Sequence, residues 1–211
     1  MSYAVKEIFL TLQGEGGQIG RTAVFCRFAG CNLWSGQEAD RTKAICQFCD
    51  TDFVGVDGIG GGRFTEADQL ADAIEQCWGD IDPSCRFVVF TGGEPLLQLD
   101  GELIDLLKKK GFFIAVETNG TLVAPQGIDW ICVSPKAGST LLQRSGKELK
   151  LVYPQDGLDP QDFVGLDFAV FRLQPKDDKN KHEHLQKAIE YCQKNPKWHL
   201  SLQTHKLIGI P

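Results

Sequence analysis

The stretch from Arg86 to Pro95, RFVVFTGGEP, sets four apolar residues in a row and ends them with a threonine, two glycines and a glutamate. A short apolar run bounded by turn-forming residues is typical of a strand that is buried on both faces of a parallel sheet. Comparable runs recur along the chain, and almost every one ends in polar residues, glycine or proline. They predict strands at 22–30, 86–93, 112–120, 129–136, 148–154, 168–175 and 199–205.

Helical patterns lie between some of these strands, at 65–78, 102–110 and 182–195. In the first of them, Thr65 followed by Asp68 indicates an N-terminal cap. Strands that alternate with helices predict an α/β fold with a parallel sheet. Three helices are too few for a complete eight-fold barrel, so the pattern predicts an open, partial (β/α) barrel or a doubly wound sheet.

The composition is that of one soluble domain. The chain has 211 residues, enough for a complete core, of which 42% are hydrophobic and 24% charged. No apolar run approaches the roughly 18 residues of a membrane span, and the N-terminus lacks the layout of a signal peptide. We therefore expect a cytoplasmic protein without a membrane partner. The net charge of −6 argues against a nucleic-acid partner.

The polar residues at the strand ends form a pattern of their own. In a parallel sheet the carboxyl ends of all strands lie at one edge, and α/β enzymes build their sites there. Six strands end in charged or amide groups as well as in turn formers, which predicts an active site at that edge. These ends are Gly30–Asn32, Thr91–Pro95, Glu117–Gly120, Ser134–Lys136, Gln174–Lys176 and Gln203–His205.

Three of the eight cysteines are candidates for a metal site. Cys46 and Cys49 form a C-x2-C pair, a spacing found in zinc knuckles, iron–sulfur sites and redox dithiols, and Cys31 lies upstream. A closed zinc site needs four ligands, whereas three cysteines leave one position open, which suits a cubane cluster with one iron free for a substrate. The other cysteines are interpreted as small apolar residues: Cys26, Cys77, Cys85, Cys132 and Cys192.

The three cysteines and the following Thr91–Pro95, TGGEP, resemble the radical S-adenosylmethionine superfamily. The usual superfamily spacing is C-x3-C-x2-C, and this chain departs from it with C-x14-C-x2-C. Together with further motifs, that departure resembles the 7-carboxy-7-deazaguanine synthase family over nearly the whole chain. The motifs are LQGEG (12–16), RFAGCNLW (27–34), CDTDF (49–53), ETNG (117–120), SPK (134–136) and QP (174–175).

This resemblance implies a single radical S-adenosylmethionine domain over 1–211. The fold would be a partial (shortened) (β/α) barrel of about six parallel strands, with an insert at 32–45 in the cluster loop, in a homodimer. The implied cofactors are a [4Fe–4S] cluster, S-adenosylmethionine and Mg²⁺, and the implied partner is an electron donor such as flavodoxin or ferredoxin. The implied reaction is radical ring contraction of 6-carboxy-5,6,7,8-tetrahydropterin to 7-carboxy-7-deazaguanine with loss of ammonia, in queuosine biosynthesis.

The resemblance also carries over site residues. Cys31, Cys46 and Cys49 would ligate the cluster, and Thr51 the Mg²⁺. The S-adenosylmethionine site would comprise Phe48, Cys49, Asp50, Gly93, Glu94, Ser134, Pro135, Lys136, Gln174, Pro175, Lys176 and Asp177. The substrate site would comprise Leu12, Gln13, Gly14, Glu15, Arg27, Thr91, Glu117, His205 and Pro211.

The chemistry of three of these side chains suits such a substrate. Arg27 offers a planar fork for a carboxylate, and Glu15 and Glu117 can accept from the N–H groups of a guanidine-like ring edge. No side chain is assigned as catalytic, because the radical comes from the cofactor, but His205 is a candidate for protonating a leaving amine.

Two other functions fit part of the sequence. A structural zinc module would use the three cysteines without catalysis. A radical activase would keep the cluster and take a hydrogen atom from a glycine of a partner enzyme. Such an activase would need a partner surface in place of the polar LQGEG and ETNG lining.

Overall fold

A nine-stranded sheet runs through the molecule in this computed structural model, which describes residues 2–211. The spatial order is β3-β1-β2-β4-β5-β6-β7-β8-β9. Strand β2 and strands β4 to β9 run parallel to one another. Strand β1 is antiparallel to both β2 and β3. The strands are β1 Tyr3–Leu12, β2 Thr22–Phe28, β3 Gly62–Phe64, β4 Phe87–Gly92, β5 Phe113–Thr118, β6 Trp130–Val133, β7 Ser145–Tyr153, β8 Asp167–Pro175 and β9 Trp198–Leu200.

The parallel part of the sheet confirms the predicted α/β fold and partial barrel. Seven parallel strands are present where about six were expected, and each corresponds to one of the predicted runs. The last prediction, 199–205, extended too far, because β9 ends at Leu200 and Thr204–Ile208 forms a short helix, α4. Strands β1 and β3 were not predicted. A register shift between Val5 and Glu7 interrupts the alternation of β1, and β3 has three residues.

The other helices confirm the helical patterns. They are α1 Ala67–Trp78, α2 Gly101–Lys109 and α3 Lys181–Lys194. The predicted cap of α1 is displaced by one residue, because Glu66 and Gln69 form a capping box in place of Thr65 and Asp68. The glutamine amide reaches back to the backbone N–H of the N-cap, which a shorter aspartate does not do.

The helices cover one face of the sheet and leave the other face for the site. Helices α1 and α2 pack on the first five strands in one core, and α3 packs on the later strands in a second. Because side chains alternate along a strand, the buried Cys26 and Phe28 of β2 belong to the first core, while Phe25 and Arg27 line a cavity on the opposite face. Burial of apolar surface in these two cores provides most of the driving force for folding.

The carboxyl edge of the parallel strands also carries the long segment between β2 and β3. Its residues 32–45, where an insert was expected, contain a short 3₁₀ helix at Glu38–Lys43. None of the helices within residues 2–211 is long and apolar enough to cross a membrane.

Candidate active site

A cavity of about 470 Å³ opens at the carboxyl edge of the sheet. Seven helices and strands contribute to it, as do several loops, and it brings together residues from opposite ends of the chain, such as Leu12 and Pro211. Of the predicted site residues, only Glu94 and Pro135 lie outside its wall. All the predicted substrate residues line it, as do the three cysteines and Thr51. The prediction of an active site at the strand ends thus corresponds to a real concave surface.

The insert folds back so that its two ends meet. The Leu33 carbonyl accepts hydrogen bonds from the backbone N–H groups of Ile45 (3.1 Å) and Cys46 (3.3 Å). Trp34 is buried, packs edge-on against Phe53 and carries the Arg41 guanidinium at 4.0 Å from its ring centroid. These contacts return the C-x2-C pair to the neighbourhood of Cys31.

The three thiols lie on one side of the cavity and suit a cluster. The hydrogen bond from the Cys46 thiol lowers the pKa of Cys49 to about 6, so this sulfur is readily present as the thiolate that binds a metal. Within residues 2–211, no group of three or more His, Cys, Asp or Glu side chains is arranged around a single ion. Three thiols that line one cavity could each bind a different iron of a cubane and leave the fourth iron open to a ligand.

A glycine allows the β4 end to approach the cluster loop. A Cβ atom on Gly93 would lie 2.0 Å from the Gly30 carbonyl oxygen and 2.8 Å from the Cys31 Cβ atom. The Gly93 backbone therefore packs directly beside Cys31, as a strand end that presents its backbone to a ligand requires.

Another part of the cavity wall carries a row of three charged side chains, Glu15, Lys150 and Glu117. Lys150 Nζ on β7 lies 2.7 Å from Glu15 Oε2 and 3.0 Å from Glu117 Oε2. Burial alone would raise the pKa of Glu15, but the contact with Lys150 outweighs it and holds that pKa at about 2. Burial raises the pKa of Glu117, and repulsion from Glu148 and Glu15 adds to the rise. The two carboxyl groups thus differ in proton affinity.

Arg27 lies along the same cavity with one side of its guanidinium already paired. Its Nε donates to Glu7 Oε1 at 2.7 Å. Across the part of the chain described here, its two Nη atoms have no carboxylate or carbonyl partner. The two Nη atoms are therefore free to donate to a ligand, and Glu7 fixes the orientation of the guanidinium.

The C-terminal helix closes the cavity from above. The Thr204 backbone N–H and hydroxyl both donate to the Gly14 carbonyl, at 2.9 and 2.8 Å. A Cβ atom on Gly14 would lie 2.3 Å from His205 Nδ1, so only glycine lets the helix come this close. The Thr11 hydroxyl donates to the Pro211 oxygen at 3.1 Å, which holds the last described residue against the cavity rim.

Comparison with known proteins agrees with this geometry. The Radical SAM superfamily profile matches residues 41–149. The 7-carboxy-7-deazaguanine synthases of Bradyrhizobium diazoefficiens and Caulobacter vibrioides are 62% and 60% identical over 210 and 211 residues, and each alignment covers 100% of both chains. The chain belongs to the 7-carboxy-7-deazaguanine synthase family. The crystal structure of QueE from Escherichia coli matches with a TM-score of 0.71 and 27% identity, covering 96% of this chain and 94% of that one.

Membership in the family makes the chain a radical S-adenosylmethionine lyase, and the residues at its edge fit the cofactors that the superfamily implies. The superfamily match begins at residue 41, within the insert, so Cys31 lies outside it. The contacts at the base of the insert return Cys46 to the neighbourhood of Cys31 despite the fourteen residues between them. A structural zinc module is excluded as the function by the same membership.

Two residues of the predicted S-adenosylmethionine site, Glu94 and Pro135, do not line the cavity themselves. Glu94 is fully buried, and its carboxylate accepts from the Thr118 hydroxyl (2.7 Å) and the backbone N–H groups of Asn119 (2.8 Å) and Leu96 (3.0 Å). Burial raises the pKa of Glu94. Its carboxylate therefore shapes the β5 end, whose Thr118 and Asn119 line the cavity. Pro135 is also buried and contributes through its neighbours Ser134 and Lys136.

Sequence reasoning missed several side chains of this wall. Two predicted residues contact each other, since Lys136 Nζ donates to the Ser134 hydroxyl at 2.7 Å. The ion pairs of Lys206 with Asp50 and Asp177, both 2.6 Å, were not predicted. The signal for the most buried of them was available, because Lys150 interrupts an apolar strand two residues after Glu148. The missed residues that line the cavity include Glu7, Phe9, Lys150, Val152 and Lys206.

Proposed function

We propose that the chain converts 6-carboxy-5,6,7,8-tetrahydropterin to 7-carboxy-7-deazaguanine with loss of ammonia. One observation carries this proposal. One part of the wall of a single cavity bears three thiols, and another part bears two carboxylates paired with one lysine and a guanidinium whose Nη atoms are free among the described residues. A ligand that fills the space between them would have N–H donors at one end and a carboxylate at the other, as the carboxypterin has. The names of the relatives support the same assignment.

The first side of the cavity would hold the cofactors. Cys31, Cys46 and Cys49 would bind the [4Fe–4S] cluster, while Gly93 and the β5 end shaped by Glu94 would receive S-adenosylmethionine. When bound, these groups supply a carbon-centred radical that removes a hydrogen atom from the substrate. The nucleoside part would meet Phe48, Cys49, Asp50, Ser134, Pro135, Lys136, Gln174, Pro175, Lys176 and Asp177.

The second side would orient the substrate. The Glu15 and Glu117 carboxylates would accept from the N–H groups of the pyrimidine ring, and the Arg27 Nη atoms would donate to the substrate carboxylate. Leu12, Gln13, Gly14, Thr91 and Pro211 complete the pocket. The helix that carries His205 lines the cavity, where it would help to exclude water, and the imidazole would donate a proton to a leaving amine.

Further parts of the proposal concern groups outside this chain. Thr51 lines the cavity next to Cys49 and would contribute its hydroxyl to a Mg²⁺ held mainly by substrate and water oxygens. An electron donor such as flavodoxin or ferredoxin would reduce the cluster. We also propose that the chain works as one domain in a homodimer.

An anaerobic assay with dithionite, S-adenosylmethionine and 6-carboxy-5,6,7,8-tetrahydropterin tests the proposal. The product should be 7-carboxy-7-deazaguanine, and its formation should depend on all three additions. Pterin without the carboxylate is the matched control and should react far more slowly, because the Arg27 fork loses its partner. Cleavage of S-adenosylmethionine without any deazapurine product would contradict the proposal and favour a radical activase.

A further inference from the structure

Lys150 lies where a lysine is costly. It is 4% exposed, on a strand whose neighbouring residues Leu149 and Leu151 face the second core. Burial of an ammonium group is unfavourable unless it is paired, and an apolar residue of similar shape often stabilises a protein equally well. Stability alone therefore gives no reason for a lysine at this position.

The number of its partners also exceeds what burial requires. One carboxylate would neutralise the ammonium, yet both Glu15 and Glu117 contact it, so the row carries a net charge of −1. The three side chains all line the cavity. They present two acceptors with a donor between them to any ligand there.

The row is supported by a polar layer beneath it. Glu148, two residues before Lys150, accepts from the Gly17 backbone N–H at 2.9 Å and from the Trp130 indole N–H at 3.2 Å. Those bonds anchor the turn that follows Glu15. From the other side, the Gln203 amide donates to Glu15 Oε1 at 3.0 Å. The Glu15 carboxylate is thus held by two side chains, Lys150 at Oε2 and Gln203 at Oε1.

We propose that Lys150 is a substrate-positioning residue. It fixes the Glu15 and Glu117 carboxylates at a spacing that accepts two N–H groups from one edge of a 2-amino-pyrimidine ring. This inference rests on the proposed function, since that ring belongs to the carboxypterin. Without the ammonium, the two carboxylates repel each other, and the two acceptors move apart.

Substitution at this position separates positioning from structure. The variants are Lys150→Met, Lys150→Arg and, as a control on an exposed position of the same strand, Lys147→Met. The measurement is anaerobic calorimetry of carboxypterin binding to cluster-loaded protein with the cluster left oxidised, together with S-adenosylmethionine binding and the melting temperature. Lys150→Met should weaken carboxypterin binding about 10- to 100-fold, because two buried acceptors lose their charged donor.

The other measurements show whether weaker carboxypterin binding comes from lost positioning or from a damaged structure. Binding of S-adenosylmethionine should change less than about twofold, Lys150→Arg should recover most of the carboxypterin affinity, and Lys147→Met should match the wild type. A parallel loss of both affinities and of the melting temperature would show a merely structural role and overturn the inference. So would wild-type affinity in Lys150→Met.

Failure of the proposed function gives a different result. In that case the wild type itself does not bind the carboxypterin. Crystal structures of the wild type and Lys150→Met then decide the inference, because loss of the ammonium should move the Glu15 and Glu117 carboxylates apart by about 1 Å, enough to disturb ligand contacts. Unchanged carboxylate positions would overturn it.

Discussion

At the scale of single residues, the pKa of Glu15 determines part of the pH dependence of stability. The folded protein holds that pKa at about 2, below the usual value of 4.5, through Lys150 and despite burial. The contribution of Glu15 is therefore complete above about pH 4.5 and is lost as the pH falls toward 2.

The variant Glu15→Gln tests this dependence. We predict that the difference in free energy of unfolding between wild type and variant shrinks below pH 4.5 by about 1.4 kcal/mol per pH unit. Urea denaturation at several values between pH 6.5 and pH 3.5 measures it. A difference that stays constant over this range would contradict the assigned pKa.

Cys31 is predicted to be as necessary for the cluster as the C-x2-C pair. Cys31→Ala and Cys46→Ala should both lower the iron content of anaerobically purified protein from about four per chain to near zero, with loss of the brown colour, because a cubane held by two thiolates is released. Cys85→Ala is the control, since Cys85 is exposed in a turn distant from the cavity. Full iron retention in Cys31→Ala would show that Cys31 is not a ligand.

The residues that the sequence identified and those it missed differ in one respect. Residues at strand ends were found because their position along a parallel strand determines which edge they occupy. Lys150 was missed because its partners, Glu15 and Glu117, are brought to it by the fold and lie far away in the chain. A lysine that alternates with apolar residues in a strand ordinarily indicates a solvent-facing side. Inside a barrel, the same alternation faces the lumen.

At the scale of elements, the insert between Cys31 and Cys46 depends on one arginine. The Arg41 guanidinium stacks on Trp34 and donates to the backbone carbonyls of Gln47 and Cys49, both at 3.0 Å. It therefore ties the 3₁₀ helix of the insert to the loop that carries Cys46 and Cys49.

We predict that Arg41→Met loosens this loop without unfolding the protein. Iron should be lost to a chelator about three to ten times faster than from the wild type, because the loop loses two charge-assisted hydrogen bonds. Lys43→Met is the matched control, an exposed residue of the same 3₁₀ helix. Equal rates of iron loss in the two variants would show that Arg41 does not stabilise the cluster loop.

Elements were predictable in proportion to how regular and how long they are. The seven parallel strands and three long helices have uninterrupted patterns, whereas β1 contains a bulge between Val5 and Glu7 that breaks its period of two. The helix α4 has five residues, too few for a helical period, and its position is fixed by Gly14 and not by its own sequence. The cap of α1 at Glu66 follows the reach of the Gln69 side chain.

At the scale of the whole molecule, the sheet does not close on itself, and other contacts join its two ends. The order begins at β3 and ends at β9, so the barrel is open between them. The Gly16 backbone N–H donates to the Ser201 hydroxyl at 3.1 Å, and α4 is bonded to Gly14. The segment after β1 therefore closes the barrel against the segment after β9, with the substrate side of the cavity between them.

Lys206 connects α4 to two further segments of the cavity wall. From α4 it contacts Asp50, which follows the last cysteine, and Asp177, which follows β8, each at 2.6 Å. The side chain is 38% exposed, so these ion pairs contribute little to stability. Their consequence is geometric, since one side chain links α4 to the cysteine-bearing loop and to the segment after β8.

We therefore predict that Lys206→Met impairs both ends of the site together. The melting temperature should change little, while the KM values for S-adenosylmethionine and for the carboxypterin should both rise about three- to tenfold, because the helix is no longer held over the cavity. Lys187→Met is the control, because it breaks a comparable exposed ion pair with Glu183 on α3. Added salt should narrow the difference between wild type and Lys206→Met, since it screens the same pairs in the wild type. A rise in one KM value alone would show that α4 serves one ligand and does not couple the two sides.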